Sequence, residues 1–233
     1  MRSLAMTTLP DGTSSYRPAG RAAIFSGLIG ILAYILLTTA VLTRTTLVPS
    51  VPVYMMFRLH DCLVVLQFLL MTPLVKALYD LSQQGATGMT RRMRNIGLGA
   101  LWATAIFLVL GLVKFFSDGA YTVSQGVFGI WMIAVCWKLR SLLPAWLCWF
   151  GMIVGLGLAI TATFFPLYAI FVNTLILHIP AADPSTFPES FTPFNAFLHK
   201  VIWVGSIMGM MPFPVWTLIT GIVMMRRSWM RRS

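Results

Sequence analysis

The chain has 233 residues, 58% of them hydrophobic and only 10% charged, with a formal net charge of +11 at pH 7. A soluble globular domain carries about 25% charged residues, so that class is excluded. The excess of positive charge does not signal nucleic acid either, because Lys and Arg stand in short clusters between apolar runs and form no continuous soluble face.

Several of those runs approach the ~20 residues needed to cross a hydrocarbon core. They predict an all-α fold, a polytopic membrane helix bundle with six transmembrane helices in one domain, residues 22–225. Residues 1–21 are polar and include Pro10, Gly12 and Ser14, so they read as a loosely ordered tail. Span 1 is Ala22–Leu42, too long and too free of a cleavage site for a signal peptide. Span 2 covers Val53–Val75, span 3 Ile96–Val113, and span 4 the shorter Tyr121–Trp137. Span 5 begins at Pro144 and meets a break at Phe164–Phe165–Pro166. The apolar stretch beyond it, as far as Pro180, either extends span 5 as a kinked helix or lies in the outer interface. A Pro-rich outer loop follows at residues 178–195, then span 6 at Phe197–Met225 and a basic tail at 226–233.

The basic residues alternate with these spans. Thirteen fall in the two tails and the 2–3 and 4–5 connections, against four (Arg44, Arg58, Lys114, Lys200) on the other side. Cytoplasmic loops carry the excess of Lys and Arg, so both termini are expected in the cytoplasm. Trp137, Trp146, Trp149 and Tyr79 fall near the inner interface, as an aromatic belt would.

The start of span 2, "FRLHD", carries Arg58, His60 and Asp61. Charged groups facing lipid are costly, so these side chains should turn into the bundle. Arg58 and Asp61 are three apart and suited to pair on one face. His60 and Gln67 are seven apart and share another. His199 and Lys200 open span 6 at the same predicted level and are the expected cross-helix neighbours. Together Arg58, His60, Asp61, Gln67, His199 and Lys200 form the candidate polar pocket. Three histidines, His60, His178 and His199, are expected on the outer side, where they could serve a metal ion or haem or stand as unrelated interfacial residues. No HExxH or CxxCH motif accompanies them, and the sequence requires no cofactor.

Span 6 holds "GMMPFPVW" near the membrane midplane. Pro212 and Pro214 remove backbone donors there, which points either to a discontinuous helix at a binding site or to a packing kink. Gly151, Gly155 and Gly157 on span 5 and Gly205 and Gly209 on span 6 have the small-residue spacing of close helix contacts, within the chain or with a partner. Cys62, Cys136 and Cys148 have no CxxC spacing and read as buried structural thiols.

"FRLHD" with its following basic loop, and "GVFGIWMIAVCWKLRSLLPAWLCWFGMIVGLG" at Gly126–Gly157, resemble a bacterial family of six-to-seven-span integral membrane proteins of unknown function. The resemblance spans Val53–Pro166 and leaves out the Pro-rich loop and the "PFP" break. It implies an architecture and a bacterial inner-membrane location, and no catalytic residues. The expected role is non-enzymatic: an accessory, small-molecule-binding or assembly protein. A transporter using the broken sixth span, and a metal- or haem-binding subunit of a membrane oxidoreductase, are the alternatives. The expected partners are the lipid bilayer and, through the 178–195 loop or the glycine faces of spans 5 and 6, another membrane protein; nucleic acid is not expected.

Overall fold

A computed structural model describes residues 16–43, 51–84, 88–115, 117–172, 174–177 and 193–230. These form α1 (Tyr16–Thr43), α2 (Val51–Leu70), α3 (Thr72–Ser82), α4 (Arg91–Leu112), α5 (Tyr121–Leu139), α6 (Ala145–Phe171), α7 (Pro193–Gly205) and α8 (Phe213–Met230). Joined, α2 and α3 make one span, Val51–Ser82, and α7 and α8 with the turn between them make another, Pro193–Arg226. With α1, α4, α5 and α6 this gives six helices long and apolar enough to cross a membrane. Only a helix satisfies every backbone group within its own segment, which lipid requires. The outward faces are apolar to match, with Phe25, Leu32, Trp102, Ile106, Ile130, Ile153 and Ile170 all exposed.

Consecutive spans pack side by side, and the last closes on the first. α1 meets α2, α2 meets α4, α4 meets α5, α5 meets α6, α6 meets α7, and α8 returns to α1. The closure is antiparallel, because Gly20 lies against Gly221 and Met225 while Gly27 lies against Pro214 and Leu218. The start of α1 and the end of α8 therefore share one end of the ring. Arg17, Arg21, Arg91, Arg92, Arg94, Lys138, Arg140 and Arg226 belong to helix ends and turns there, and we call it the basic end. The α3–α4 connection is tied down at this end. Ser82 Oγ accepts from the Met89 N–H at 3.0 Å, Gln83 Nε2 donates to the Met89 carbonyl at 2.9 Å, and Thr90 caps α4 by accepting from the Met93 N–H at 3.2 Å.

The middle of the ring is filled by aromatic rings. Phe68 stacks on Phe213 with centroids 5.5 Å apart, Phe128 meets Phe213 edge-on at 5.9 Å, and Trp131 stacks on Phe128 at 5.0 Å. Such pairs add about 0.5–1.5 kcal/mol each beyond the burial of their area. Small residues set the helix spacing around them. A Cβ at Gly129 would stand 2.5 Å from the Gly155 carbonyl oxygen, and one at Gly155 the same distance from that of Gly129. Gly157 and Gly209 bring α6 and the sixth span into backbone contact in the same way. The glycines expected on the faces of spans 5 and 6 are thus taken up by internal packing.

Several boundaries differ from those predicted. Helix begins at Tyr16, so residues 16–21 extend span 1 and do not belong to the tail. Span 2 runs on past Val75 to Ser82, tightening at Met71, whose N–H donates to the Phe68 carbonyl three residues back. Pro73, at the start of α3, supplies no donor and accounts for the local change of pattern. α6 passes through Pro166 without a break and ends at Phe171, so span 5 extends as helix through that part of the stretch. α7 starts at Pro193, inside the predicted loop. Cys136 and Cys148 are buried, whereas Cys62 is exposed on the outer surface of α2.

Candidate functional site

His60, Gln67 and Arg58 of α2 divide between two neighbours, α1 and α4. His60 is buried and turns toward α1, where its Nδ1 lies 2.9 Å from the Ala33 carbonyl oxygen. A carbonyl only accepts, so Nδ1 carries the proton and Nε2 is left as the other ring position. The Tyr34 ring meets the imidazole edge-on at 5.9 Å. Gln67 follows two turns later on the same face and is 1% exposed. Its backbone carbonyl accepts from Ser26 Oγ at 2.8 Å, and its side-chain amide fills the notch beside Gly30, where a Cβ would stand 2.5 Å from Nε2. That Nε2 has no hydrogen-bond partner.

Depth makes this matter. The span Val51–Ser82 has 32 residues and Gln67 falls at its middle. At ~1.5 Å per residue such a helix exceeds a ~30 Å hydrocarbon core. Gln67 stands at the middle of the span, and His60 about two turns nearer the end that begins at Val51. An unpartnered amide in an apolar interior costs on the order of 1–3 kcal/mol.

Arg58 turns the other way, toward the end of α4. Its Nε donates to Tyr54 Oη at 2.8 Å, and Nη1 donates to the Leu112 carbonyl at 2.8 Å and the Gly111 carbonyl at 3.4 Å. These are the orphan carbonyls of a helix C-terminus, where a cation is favoured. These oxygens on α4 supplement the partner expected within α2, Asp61, which is half-buried one turn further along the helix. The expected neighbours on span 6 are displaced. α7 packs on α6, and His199 and Lys200 are exposed on it, so α1 and α4 flank the α2 polar residues.

No family model, curated protein or solved structure matches this chain.

The polar interior continues on α5, which sequence reasoning passed over. Gln125 is 2% exposed and its Oε1 has no partner. The Ser124 and Thr104 hydroxyls lie 3.0 Å apart between α5 and α4. Gln125 stands one turn before Phe128, and Gln67 is next to Phe68; those two rings meet edge-on with centroids 6.4 Å apart. The available signal was the run of hydroxyl and amide residues at Thr122, Ser124 and Gln125, which reads as an interfacial start to a short span.

The break in span 6 is present, and its form is a π turn at Ser206–Met210 followed by Met211 and Pro212. Pro212 has no N–H and its ring crowds the carbonyl four residues back. The chain answers by widening, with the Met211 N–H donating to the Ser206 carbonyl five residues back at 2.9 Å. The ladder resumes when the Trp216 N–H reaches the Pro212 carbonyl at 2.9 Å. Among the described residues no three His, Cys, Asp or Glu side chains come together to hold a metal ion. His178 lies outside the described residues, and His60 and His199 stand on α2 and α7.

Proposed function

We propose that this chain is a multi-pass protein of the bacterial inner membrane with a non-enzymatic, small-molecule-binding role. The resemblance to six-to-seven-span bacterial membrane proteins supports the location, and the alternation of basic residues supports termini on the cytoplasmic side. One observation carries the binding role. Gln67 is a buried amide with a free donor at the middle of its span, on the same face as His60. A polar group at such depth is unfavourable unless something polar meets it. A small hydrogen-bonding molecule reaching the α1–α2 seam is the occupant we infer.

A thermal-shift screen of the purified protein in detergent tests this, using amino acids, sugars and nucleosides on wild type and on Gln67→Leu. A ligand should stabilise wild type and lose most of its effect on Gln67→Leu. The variant itself should keep or gain stability, since replacing an unpartnered amide by an apolar group relieves its desolvation cost. A gain in stability with no compound acting on wild type would reduce Gln67 to a packing residue.

Transport is a second reading, favoured by the π turn in the middle of the sixth span, since π turns often mark functional sites. It requires the turn to move. The double change Pro212→Ala with Pro214→Ala should then abolish flux in vesicles while leaving the fold intact. Unchanged flux would leave the break as a packing device against Gly157.

A further inference from the structure

A second surface, at the basic end, has a different chemistry. The chain turns between Leu139 and Ala145, and a groove of about 380 Å³ opens beside that turn. Cys148 and Met152 line it, the first buried and the second half-buried. Trp137 and Trp149 also line it and are 54% and 62% exposed. Arg140 lies at the turn with its guanidinium over the Trp137 ring, 4.5 Å from the centroid, and Ser141 adds a hydroxyl. Among the described residues no acidic side chain lines the groove.

We propose that this groove binds an anionic phospholipid, with the headgroup phosphate on Arg140 and Ser141 and the acyl chain along Trp149 and Met152. Charge complementarity argues for the phosphate: Arg140 is exposed, Lys138 stands two residues before it, and a planar guanidinium matches phosphate geometry. Position argues for a lipid over a soluble anion. The site is on the rim of a bundle that crosses the membrane, at the level where exposed indoles mark the headgroup layer. Basic pockets between spans at that level suit anionic headgroups. The remaining wall is apolar, which a free phosphate would not need.

The test uses the full chain in detergent, read by native mass spectrometry with added phosphatidylglycerol or phosphatidylcholine. Phosphatidylglycerol should be retained in preference to phosphatidylcholine, and Arg140→Gln should lower that preference roughly tenfold, as expected for one charge-assisted bond. Ala145→Glu, at an exposed position lining the groove, should repel the same lipid and serves if Arg140→Gln does not fold. Arg94→Gln is the control: Arg94 is another arginine at this end, stacked on Tyr79 at 4.9 Å and away from the groove. An equal loss with Arg94→Gln, or full retention in both groove variants, overturns the proposal. Displacement of the lipid by millimolar inorganic phosphate would also overturn it, assigning the groove to a free anion.

Discussion

Methyl groups added at Gly27 and Gly30, less than a turn apart on α1, would meet different neighbours. At Gly27 the new Cβ stands 2.7 Å from the Pro214 carbonyl oxygen and 2.8 Å from the Leu218 nitrogen, both backbone atoms of α8. At Gly30 all three nearest atoms belong to the Gln67 amide, the far end of a flexible side chain. Gly27→Ala should therefore destabilise by about 1–3 kcal/mol, the usual range for overpacking, and Gly30→Ala by less. Thermal unfolding in detergent ranks them, and the reverse order would mean that Gln67 is held rigidly. Arg58 gives a second prediction at this scale. Arg58→Gln removes charged hydrogen bonds worth about 1.5–3 kcal/mol each, and Tyr54→Phe should add little once Arg58 is gone. Additive losses would show that the Tyr54–Arg58 contact contributes nothing. Some of this was legible in the sequence. The spacing of His60 and Gln67 put them on one buried face, and there they are. The partners of Arg58 were not legible, because they are backbone carbonyls of α4 and depend on which span lies beside α2. A three-residue spacing within α2 speaks only of Asp61 on the same helix and carries no information about a neighbouring span.

Proline acts differently in α6 and in the sixth span, although the local sequences look alike. Pro166 is exposed and the helix passes through it; Pro212 is half-buried at the end of a π turn. In α6 the lost donor and ring clash are absorbed within a continuous helix, so Pro166→Ala restores a backbone bond and should raise the melting temperature. A fall would mean that the proline bend is needed for packing. In the sixth span the π turn sets the rotation of α7 relative to α8. α7 and the turn are anchored on α6, and α8 is anchored on α1. Deleting the exposed Ile207 removes one residue from the turn, rotating one half by about 100° against the other. The deletion should destabilise far more than Pro212→Ala, because it misaligns either Gly205 on Thr161 or, together, Gly209 on Gly157 and the α8 face on Gly27. Equal losses would show that register across the break does not matter. The position of this break was readable from "PFP", and its form was not. A proline states that the α ladder is interrupted, while the packing of both flanking helices decides between a kink and a wider turn.

At the scale of the whole molecule the ring closure and the charge distribution constrain each other. α1 and α8 are antiparallel neighbours, so an even number of spans lies between one tail and the other. Hydropathy gave that number from the sequence, since six runs were long enough; it gave no order of packing, because lipid-facing and core-facing residues are equally apolar. Folding places Arg17, Arg21, Arg91, Arg92, Arg94, Arg140 and Arg226 around one rim, leaving Arg58, Lys114 and Lys200 toward the other. Arg58 is engaged by α4, so the exposed positive charge of the second rim is smaller still. The side with the excess of Lys and Arg is retained in the cytoplasm, and the basic rim is therefore expected there. Reporter fusions after Ser233 and within residues 82–90 should give a cytoplasmic signal, and fusions within residues 181–190 an external one. An external signal from both of the first two would invert the protein and move the proposed lipid groove to the other leaflet. Opposite signals from the first two would be a deeper failure, since no closed ring with α1 against α8 and the α3–α4 turn at the same rim can produce them.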